Sequence, residues 1–185
     1  MSNLYKLPVF VDGMKTSKGE QAVRCVVEAP MGSPTKFKYD PETKTFVLGR
    51  PLLKGLTYPY DWGFIPSTLA DDGDPLDVMI LHDTPSFTGL VIPAQLIGVL
   101  EVEQHEGRHT VRNDRLFAVP VKSHREDELN HVDDLCKRLR KELEKFFVAT
   151  AALDDKELSF LGWKGPKEAH AVLDEAMKGW AKKNS

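Results

Sequence analysis

Four carboxylates lie within seven residues near the middle of the chain: Asp71, Asp72, Asp74 and Asp77. Carboxylates this close repel one another, and the crowding is destabilising unless cations are held among them. Gly73 allows the backbone to turn tightly, and Pro75 restricts it directly afterwards. Hard oxygen ligands aimed at one point suit Mg²⁺ or Mn²⁺. The loop is therefore a candidate metal site.

The same loop also has the composition of an ordinary turn. Asp tolerates turn geometry and can accept hydrogen bonds from its own neighbouring backbone. A plain solvated turn is an alternative that the loop alone leaves open. An EF-hand is disfavoured, because Pro75 and Leu76 interrupt the ligand pattern that such a loop needs.

The composition of the 185 residues, with 41% hydrophobic and 29% charged, is typical of a globular protein. The length predicts one domain over residues 1–185. A net charge of -3 gives no support for nucleic acid as a partner. Cys25 and Cys136 lack metal-ligand spacing, which predicts two reduced core residues. Without a signal-peptide pattern or a membrane-length apolar run, we expect a cytoplasmic protein that does not bind membranes.

Short strands are predicted through the first two thirds of the chain: 22–28, 36–40, 45–48, 78–81, 91–103 and 110–121. The second and third form a hairpin with Lys36, Lys38 and Arg50 near its open end. Gly98 predicts a bulge or a bend at a barrel corner. Short antiparallel strands with glycine bends favour a small closed barrel.

Helical spacing replaces strand alternation in the last third. Residues 123–126 read as a capping box, and apolar residues recur at helical intervals over 129–146. Gly165-Pro166 predicts the start of a second helix with a buried stripe over 169–180. The predicted fold class is therefore mainly β with two C-terminal helices, an α+β arrangement.

The acidic loop and the segments before it resemble a known family. Asp72-Gly-Asp-Pro-Leu-Asp77 is similar to the signature of the soluble, Mg²⁺-dependent inorganic pyrophosphatases of the barrel-fold type. The likeness includes Glu28-Ala-Pro-Met-Gly-Ser33, Arg50 and the segment Tyr58–Pro66, and it extends to the C-terminal helix. It implies an OB-like, twisted antiparallel β-barrel that hydrolyses inorganic diphosphate to two phosphates with a metal-activated water.

The resemblance also implies roles for individual residues. Direct metal ligands are expected at Asp72 and Asp77, with Glu28 an outer ligand acting partly through water. Asp74 is expected to orient or deprotonate the water. Phosphate binding during catalysis is expected of three residues: Lys36, Arg50 and Tyr58. The implied cofactor is Mg²⁺ or Mn²⁺, and the implied assembly is a homo-oligomer, commonly a hexamer in bacterial members.

Several positions depart from the family pattern. Lys38 replaces a family Glu, and Trp62 replaces a second Tyr. Other replacements lie on the later hairpin and near the end of the first helix: Gln104 and Asn113 for Asp, Arg115 for Lys, and Thr150-Ala151 for a Tyr-Lys phosphate clamp. The site is expected to be less negative than is usual in the family, and to hold fewer metal ions or to hold the outer ones more weakly.

Neighbouring residues offer partial compensation for these replacements. Asn113 keeps a carbonyl oxygen as a weak metal ligand, and Arg115 can bind phosphate in a fork. Asp114 is a further candidate ligand, although strand alternation turns it the wrong way unless a bulge shifts the register.

Two other functions stay open at this point. The small residues Thr150-Ala151 could admit a phosphoanhydride that carries an organic group. The substituted acidic cluster is also compatible with a non-catalytic paralogue that binds phosphate or a partner.

Overall fold

Ten strands and two α-helices form the part of the chain that the computed structural model describes, residues 3–125 and 127–184. The strands are β1 (Phe10–Lys15), β2 (Gln21–Ala29), β3 (Thr35–Asp40), β4 (Thr45–Pro51), β5 (Asp61–Phe64), β6 (Asp77–Ile80), β7 (Val91–Glu106), β8 (His109–Arg112), β9 (Arg115–Pro120) and β10 (Glu157–Lys164). The helices are α1 (Lys137–Ala151) and α2 (Pro166–Lys183). Within the described residues, no helix has the length and apolarity needed to cross a membrane.

Five strands close into a ring in the order β2, β5, β6, β9, β7 and back to β2. The predicted barrel is thus confirmed, with one difference. β6 and β9 pair in parallel, whereas the other four pairs are antiparallel. A parallel pair needs a long connection, and the excursion through β7 and β8 supplies it.

The long strand β7 is shared by four neighbours: β2, β8, β9 and β10. It bends at Gly98, where its register with β9 shifts. The φ of Gly98 is +154°, and a Cβ at this position would collide with the Lys164 carbonyl oxygen and the Val132 side chain. The predicted bulge is confirmed, and only glycine fits it.

The apolar core has two main clusters, and each helix covers one. Under α2, Ala169 and Leu173 are fully buried against strand residues such as Val78. Under α1, Leu143 and Phe147 pack with Phe117. Each fully buried large side chain stabilises the fold by about 1.5–3 kcal/mol. The two amphipathic helices are therefore held by burial of one face.

The start of the first helix differs from the prediction. Helix α1 begins at Lys137, and the segment before it forms turns and a short 3₁₀ helix, Val132–Asp134. The His131 ring accepts from the Asp133 N–H, and the Asp134 carboxylate accepts from the His131 N–H, so this short helix is capped on its own. The last residue of the predicted capping box lies outside the described residues.

Other sequence expectations need correction. Strands β5 and β10 lie outside the predicted strands, and the predicted strand 110–121 is divided into β8 and β9. Cys136 is exposed rather than in the core. Cys25 is buried as expected, and burial raises the pKa of its thiol to about 12.

Candidate active site

A polar cleft of about 190 Å³ opens between the acidic loop, the β3–β4 hairpin and the end of α1. It brings together eight of the residues that the sequence singles out: Lys36, Arg50, Tyr58, Asp72, Asp74, Asp77, Asn113 and Arg115. These residues come from separate parts of the chain. Trp62, Gln104, Thr150 and Ala151, which depart from the family pattern, also line the cleft, whereas Lys38 does not.

The acidic loop is a tight turn whose carboxylates separate to two sides. Gly73 has a φ of +89°, and the Asp74 N–H donates to Asp72 Oδ1 at 3.1 Å. Asp72, Asp74 and Asp77 line the cleft, whereas Asp71 borders an apolar groove beside α2. The turn geometry expected of Asp-Gly-Asp-Pro is present, and it aims three carboxylates into one cleft.

Negative charge is crowded around this loop. The carboxylate of Asp72 is desolvated by the protein atoms around it although the residue is exposed at the cleft mouth. This desolvation raises its pKa, and the charge of Asp77 raises it further. Burial raises the pKa of Glu28 to about 7, against the opposing effect of a hydrogen bond from the Tyr39 N–H. Raised pKa values mark carboxylates that would gain from a nearby cation.

Two protein cations contact the acidic loop directly. Lys38 Nζ lies 3.0 Å and 3.3 Å from the two oxygens of Asp74. Burial lowers the pKa of Lys38, but the hydrogen bond and the charge of Asp74 outweigh it, and the net pKa is raised. Arg115 donates through Nη1 to Asp77 and to Asn113, and its guanidinium lies 5.5 Å from the Trp62 ring centroid.

The opposite wall of the cleft carries Lys36 and Arg50 side by side. They are register partners on β3 and β4, and Gly49 is the extra residue of the bulge beside them. A Cβ on Gly49 would come within 2.8 Å of the Lys36 carbonyl oxygen. The predicted hairpin is therefore confirmed, with both cations at its open end.

Arg50 is anchored to the end of α1. Its Nη2 donates to the Thr150 carbonyl oxygen at 2.7 Å and lies 3.0 Å from Asp154 Oδ2. Among the described residues, Arg50 Nη1 and Arg115 Nε are buried without a hydrogen-bond partner. Buried N–H donors without partners are costly, so these two atoms are well suited to receive an anion.

Tyr58 is held by the backbone and by aromatic packing. Its N–H donates to the Ser33 carbonyl oxygen at 3.0 Å. Its ring stacks on Trp62 with a centroid distance of 6.4 Å and meets Phe146 edge to face at 5.3 Å. Burial, followed by the charge of Asp77, raises the pKa of its phenol. The hydroxyl therefore stays protonated near neutral pH and can donate.

Two predicted metal ligands do not line the cleft. Glu28 is buried behind it, where its carboxylate accepts from the Tyr39 N–H at 2.9 Å. Asp114 faces away: it accepts from the Val102 N–H at 2.9 Å and from Arg112 Nε at 2.6 Å. Asn113 and Arg115 face the cleft, so alternation along the chain sends Asp114 to the groove beside α2. Asp114 therefore leaves the candidate set.

Lys156 is a cleft residue that the sequence analysis missed. After α1 the chain turns through Asp155 in the left-handed region, with a φ of +53°, and the Lys156 N–H donates to the Ala151 carbonyl oxygen at 3.2 Å. This return places a lysine beside Ala151, with its Nζ 3.7 Å from Glu106. The one sequence feature that could have indicated this position is a lysine directly after the turn-forming pair Asp154-Asp155.

The donor set of the cleft fits a hard divalent cation, because carboxylate and amide oxygens are the ligands that Mg²⁺ and Mn²⁺ take. The cleft offers these from Asp72, Asp77 and Asn113. Across residues 3–125 and 127–184, however, no three His, Cys, Asp or Glu side chains converge closely enough to hold a metal ion. Lys38 and Arg115 instead hold two of the cleft carboxylates.

Comparisons with known proteins give a consistent result. The family model described as inorganic pyrophosphatase matches residues 25–181. The inorganic pyrophosphatase of Synechocystis is 37% identical over 158 residues, covering 85% of this chain and 91% of its own. That of Thermus thermophilus is 34% identical over 175 residues, covering 95% and 94%. The crystal structure of the Thermus thermophilus inorganic pyrophosphatase aligns with a TM-score of 0.85 at 31% identity, covering 97% of this chain and 99% of that chain. This chain belongs to the inorganic pyrophosphatase family.

Proposed function

We propose that this protein hydrolyses inorganic diphosphate to two phosphates with a divalent cation, Mg²⁺ or Mn²⁺. One observation carries the proposal: a single cleft brings three carboxylates together with Lys36, Arg50 and Arg115, and each of the two arginines has a buried N–H without a partner among the described residues. Hydrolysis of a small, highly charged anion needs both kinds of group. Cations must neutralise its charge, and carboxylates must hold a metal and activate a water beside it. Family membership supports the same activity.

The metal would be held by oxygen donors on one side of the cleft. Asp72, Asp77 and the carbonyl oxygen of Asn113 are the proposed ligands, and Glu28 supports them from behind, acting partly through water. When bound, the cation would neutralise phosphate charge and lower the pKa of a water.

Asp74 is the proposed proton acceptor. Its loop position is fixed by the hydrogen bond from its N–H to Asp72, and its carboxylate reaches the cleft from the turn. It would orient the attacking water and take its proton as the new P–O bond forms.

Four side chains are proposed to bind the phosphate groups: Lys36, Arg50, Tyr58 and Arg115. Thr150 and Asp154 hold Arg50 through Nη2, and Nη1 remains available to a phosphate. Arg115 likewise keeps Nε available, and Tyr58 donates its hydroxyl. These donors would stabilise the negative charge that develops on the departing phosphate. Lys156 supplies a further cation on the side where Ala151 has no polar side chain.

The test is phosphate release from diphosphate, titrated with Mg²⁺ and with Mn²⁺. Asp74→Asn should lose at least about 100-fold in kcat, the usual scale for a general base. Asp71→Asn is the matched control, because Asp71 lies in the same loop but faces the other groove. It should stay within about twofold of the parent protein, as expected for an exposed side chain outside the cleft. An Asp74→Asn variant as active as the parent would refute the role, and absence of metal-dependent release would favour a non-catalytic binding protein.

A second candidate substrate is a phosphoanhydride that carries an organic group. The cleft is lined near α1 by Thr150, Ala151 and Leu158, and the Thr150 hydroxyl is already bonded to the Phe147 carbonyl oxygen at 2.9 Å. This side therefore offers space with few free donors. Turnover of nucleotide and polyphosphate substrates should be compared with that of diphosphate. Equal or faster turnover of diphosphate excludes the alternative.

We also infer a homo-oligomer, a hexamer if the chain follows the bacterial members. The resemblance to the family supports this inference, and Leu48 and Phe87, which are 69% and 64% exposed, are candidates for burial at an interface. Sedimentation equilibrium would give the number of subunits, and a monomer at micromolar concentration would contradict the inference.

A further inference from the structure

Lys38 forms the closest cationic contact that Asp74 has among the described residues. Its ammonium reaches both carboxylate oxygens, at 3.0 Å and 3.3 Å. On β3, Lys38 lies two residues after Lys36, which lines the cleft, so the two side chains share one face of the strand. A protein cation thus sits on the carboxylate proposed to accept the proton from water.

The surroundings of Lys38 are acidic. Besides Asp74, the carboxylates of Glu28 and Asp72 act on its charge. The second cation at the loop, Arg115, contacts Asp77 and Asn113 in the same way. The Lys38 ammonium and the Arg115 guanidinium therefore contact oxygen donors that would otherwise be available to a divalent ion.

The contact between Lys38 and Asp74 can be displaced. Both side chains are about half exposed, 50% and 56%, and such exposed pairs hold only weakly. The lysine stem is flexible, so the ammonium can swing into solvent or toward a phosphate. A divalent cation and an ammonium repel each other, however, and cannot both occupy the same carboxylate at full strength. Lys38 is therefore placed as a competitor rather than a permanent block.

We propose that Lys38, held at the acidic loop by Asp74, is an internal counter-ion that offsets the negative charge available to a divalent metal at Asp72 and Asp77, and so sets the metal concentration at which the loop fills. The inference rests on the proposed function, because it assumes that a metal belongs in the cleft. In this proposal, the charge of Lys38 lowers the affinity of the substrate-free protein for its metal.

The test is Mn²⁺ binding to the protein without substrate, followed by calorimetry and by the electron paramagnetic resonance signal of free Mn²⁺. Lys38→Met should bind Mn²⁺ about tenfold more tightly than the parent, the scale of one unit charge beside a divalent ion in a solvated site. Lys38→Arg, which keeps the charge, should bind with the affinity of the parent. Lys178→Met is the matched control, because Lys178 pairs with Glu175 on the exposed face of α2.

A double variant locates the competition. Compared with Asp74→Asn alone, Lys38→Met/Asp74→Asn should show little gain in Mn²⁺ affinity, because Lys38 is no longer held at the loop once the Asp74 carboxylate is gone. A gain that persists in the double variant, or an equal gain in Lys178→Met, would overturn the proposal. Circular dichroism of each variant verifies that it is folded.

The outcomes also separate this inference from the proposed function. Unchanged Mn²⁺ affinity in Lys38→Met, with metal-dependent phosphate release in the parent, would overturn the competition and leave the proposed function standing. Absence of Mn²⁺ binding in every variant, together with absence of phosphate release, would overturn both.

Discussion

Replacing Arg50 with lysine keeps the positive charge of the cleft but removes the fork that the structure uses. The Arg50 guanidinium is anchored through Nη2 to the Thr150 carbonyl oxygen and to Asp154, and this leaves Nη1 buried and unpartnered. A lysine carries a single ammonium at the end of a flexible stem. It cannot be held by the end of α1 and also present a fixed second N–H to a phosphate.

The size of the effect follows from the contact that is lost. A hydrogen bond to a charged group contributes about 1.5–3 kcal/mol. At about 1.4 kcal/mol per factor of ten, its loss should lower kcat/KM for diphosphate by between about tenfold and about 150-fold. The anchor itself matters less, because Asp154 is 40% exposed and such a pair contributes at most about 1 kcal/mol. Asp154→Asn should therefore lower kcat/KM by no more than about fivefold.

The assay is steady-state phosphate release at saturating metal for Arg50→Lys, Asp154→Asn and the control Arg138→Lys. Arg138 is 88% exposed and pairs with Glu142 on α1, so the same exchange there should leave kcat/KM unchanged. An Arg50→Lys variant within about threefold of the parent would refute the reasoning, since it would fall short of the loss of one charged hydrogen bond. An equal loss in Asp154→Asn would instead assign the effect to the anchor.

Three further predictions concern other parts of the molecule. Lys156→Met should raise KM for diphosphate by about fivefold or more with little change in kcat, since it removes a cation that contributes to binding; unchanged steady-state kinetics would remove Lys156 from the site. Leu173→Ala should lower the free energy of unfolding by about 2–5 kcal/mol in urea denaturation, because Leu173 is fully buried under α2; a loss below about 1 kcal/mol would contradict this packing. The pKa of Glu28 is raised from its ordinary value to about 7, so the folded protein binds the proton more tightly than the unfolded chain, and the stabilisation present at low pH is lost as pH rises toward 7. Glu28→Gln should therefore flatten the decline in stability of the metal-free protein between about pH 4.5 and pH 7, and an unchanged slope would show that another group is responsible.

The sequence alone is sufficient to predict the parts of the site whose residues lie close together in the chain. The acidic loop spans only seven residues, and Gly73 and Pro75 within it predict the tight turn. The β3–β4 hairpin is equally local, so Lys36 and Arg50 could be expected to lie side by side. The second helix was predictable because Gly165-Pro166 starts it and an apolar stripe follows.

Tertiary structure decided which side chains meet and which face away. Asp114 and Asn113 are neighbours in the chain between β8 and β9. Hydrogen bonds to the Val102 backbone on β7 hold both, and Asn113 lines the cleft whereas Asp114 borders the groove beside α2. The start of α1 at Lys137 also depended on non-local packing. The barrel buries Leu129, Val132 and Leu135 from turns and a 3₁₀ helix, although their spacing is helical.

The ion pairs of the cleft were likewise outside the reach of local patterns. Lys38 and Asp74 are 36 positions apart, and Arg50 contacts Thr150 across 100 positions. Lys156 enters the cleft only because Asp155 adopts a left-handed turn after α1. Local chemistry therefore determined which residues could bind a metal and phosphate. The closure of the barrel and the return of the chain after α1 determined which cations now hold those carboxylates, because charge pairing depends on distance in space and not on separation in sequence.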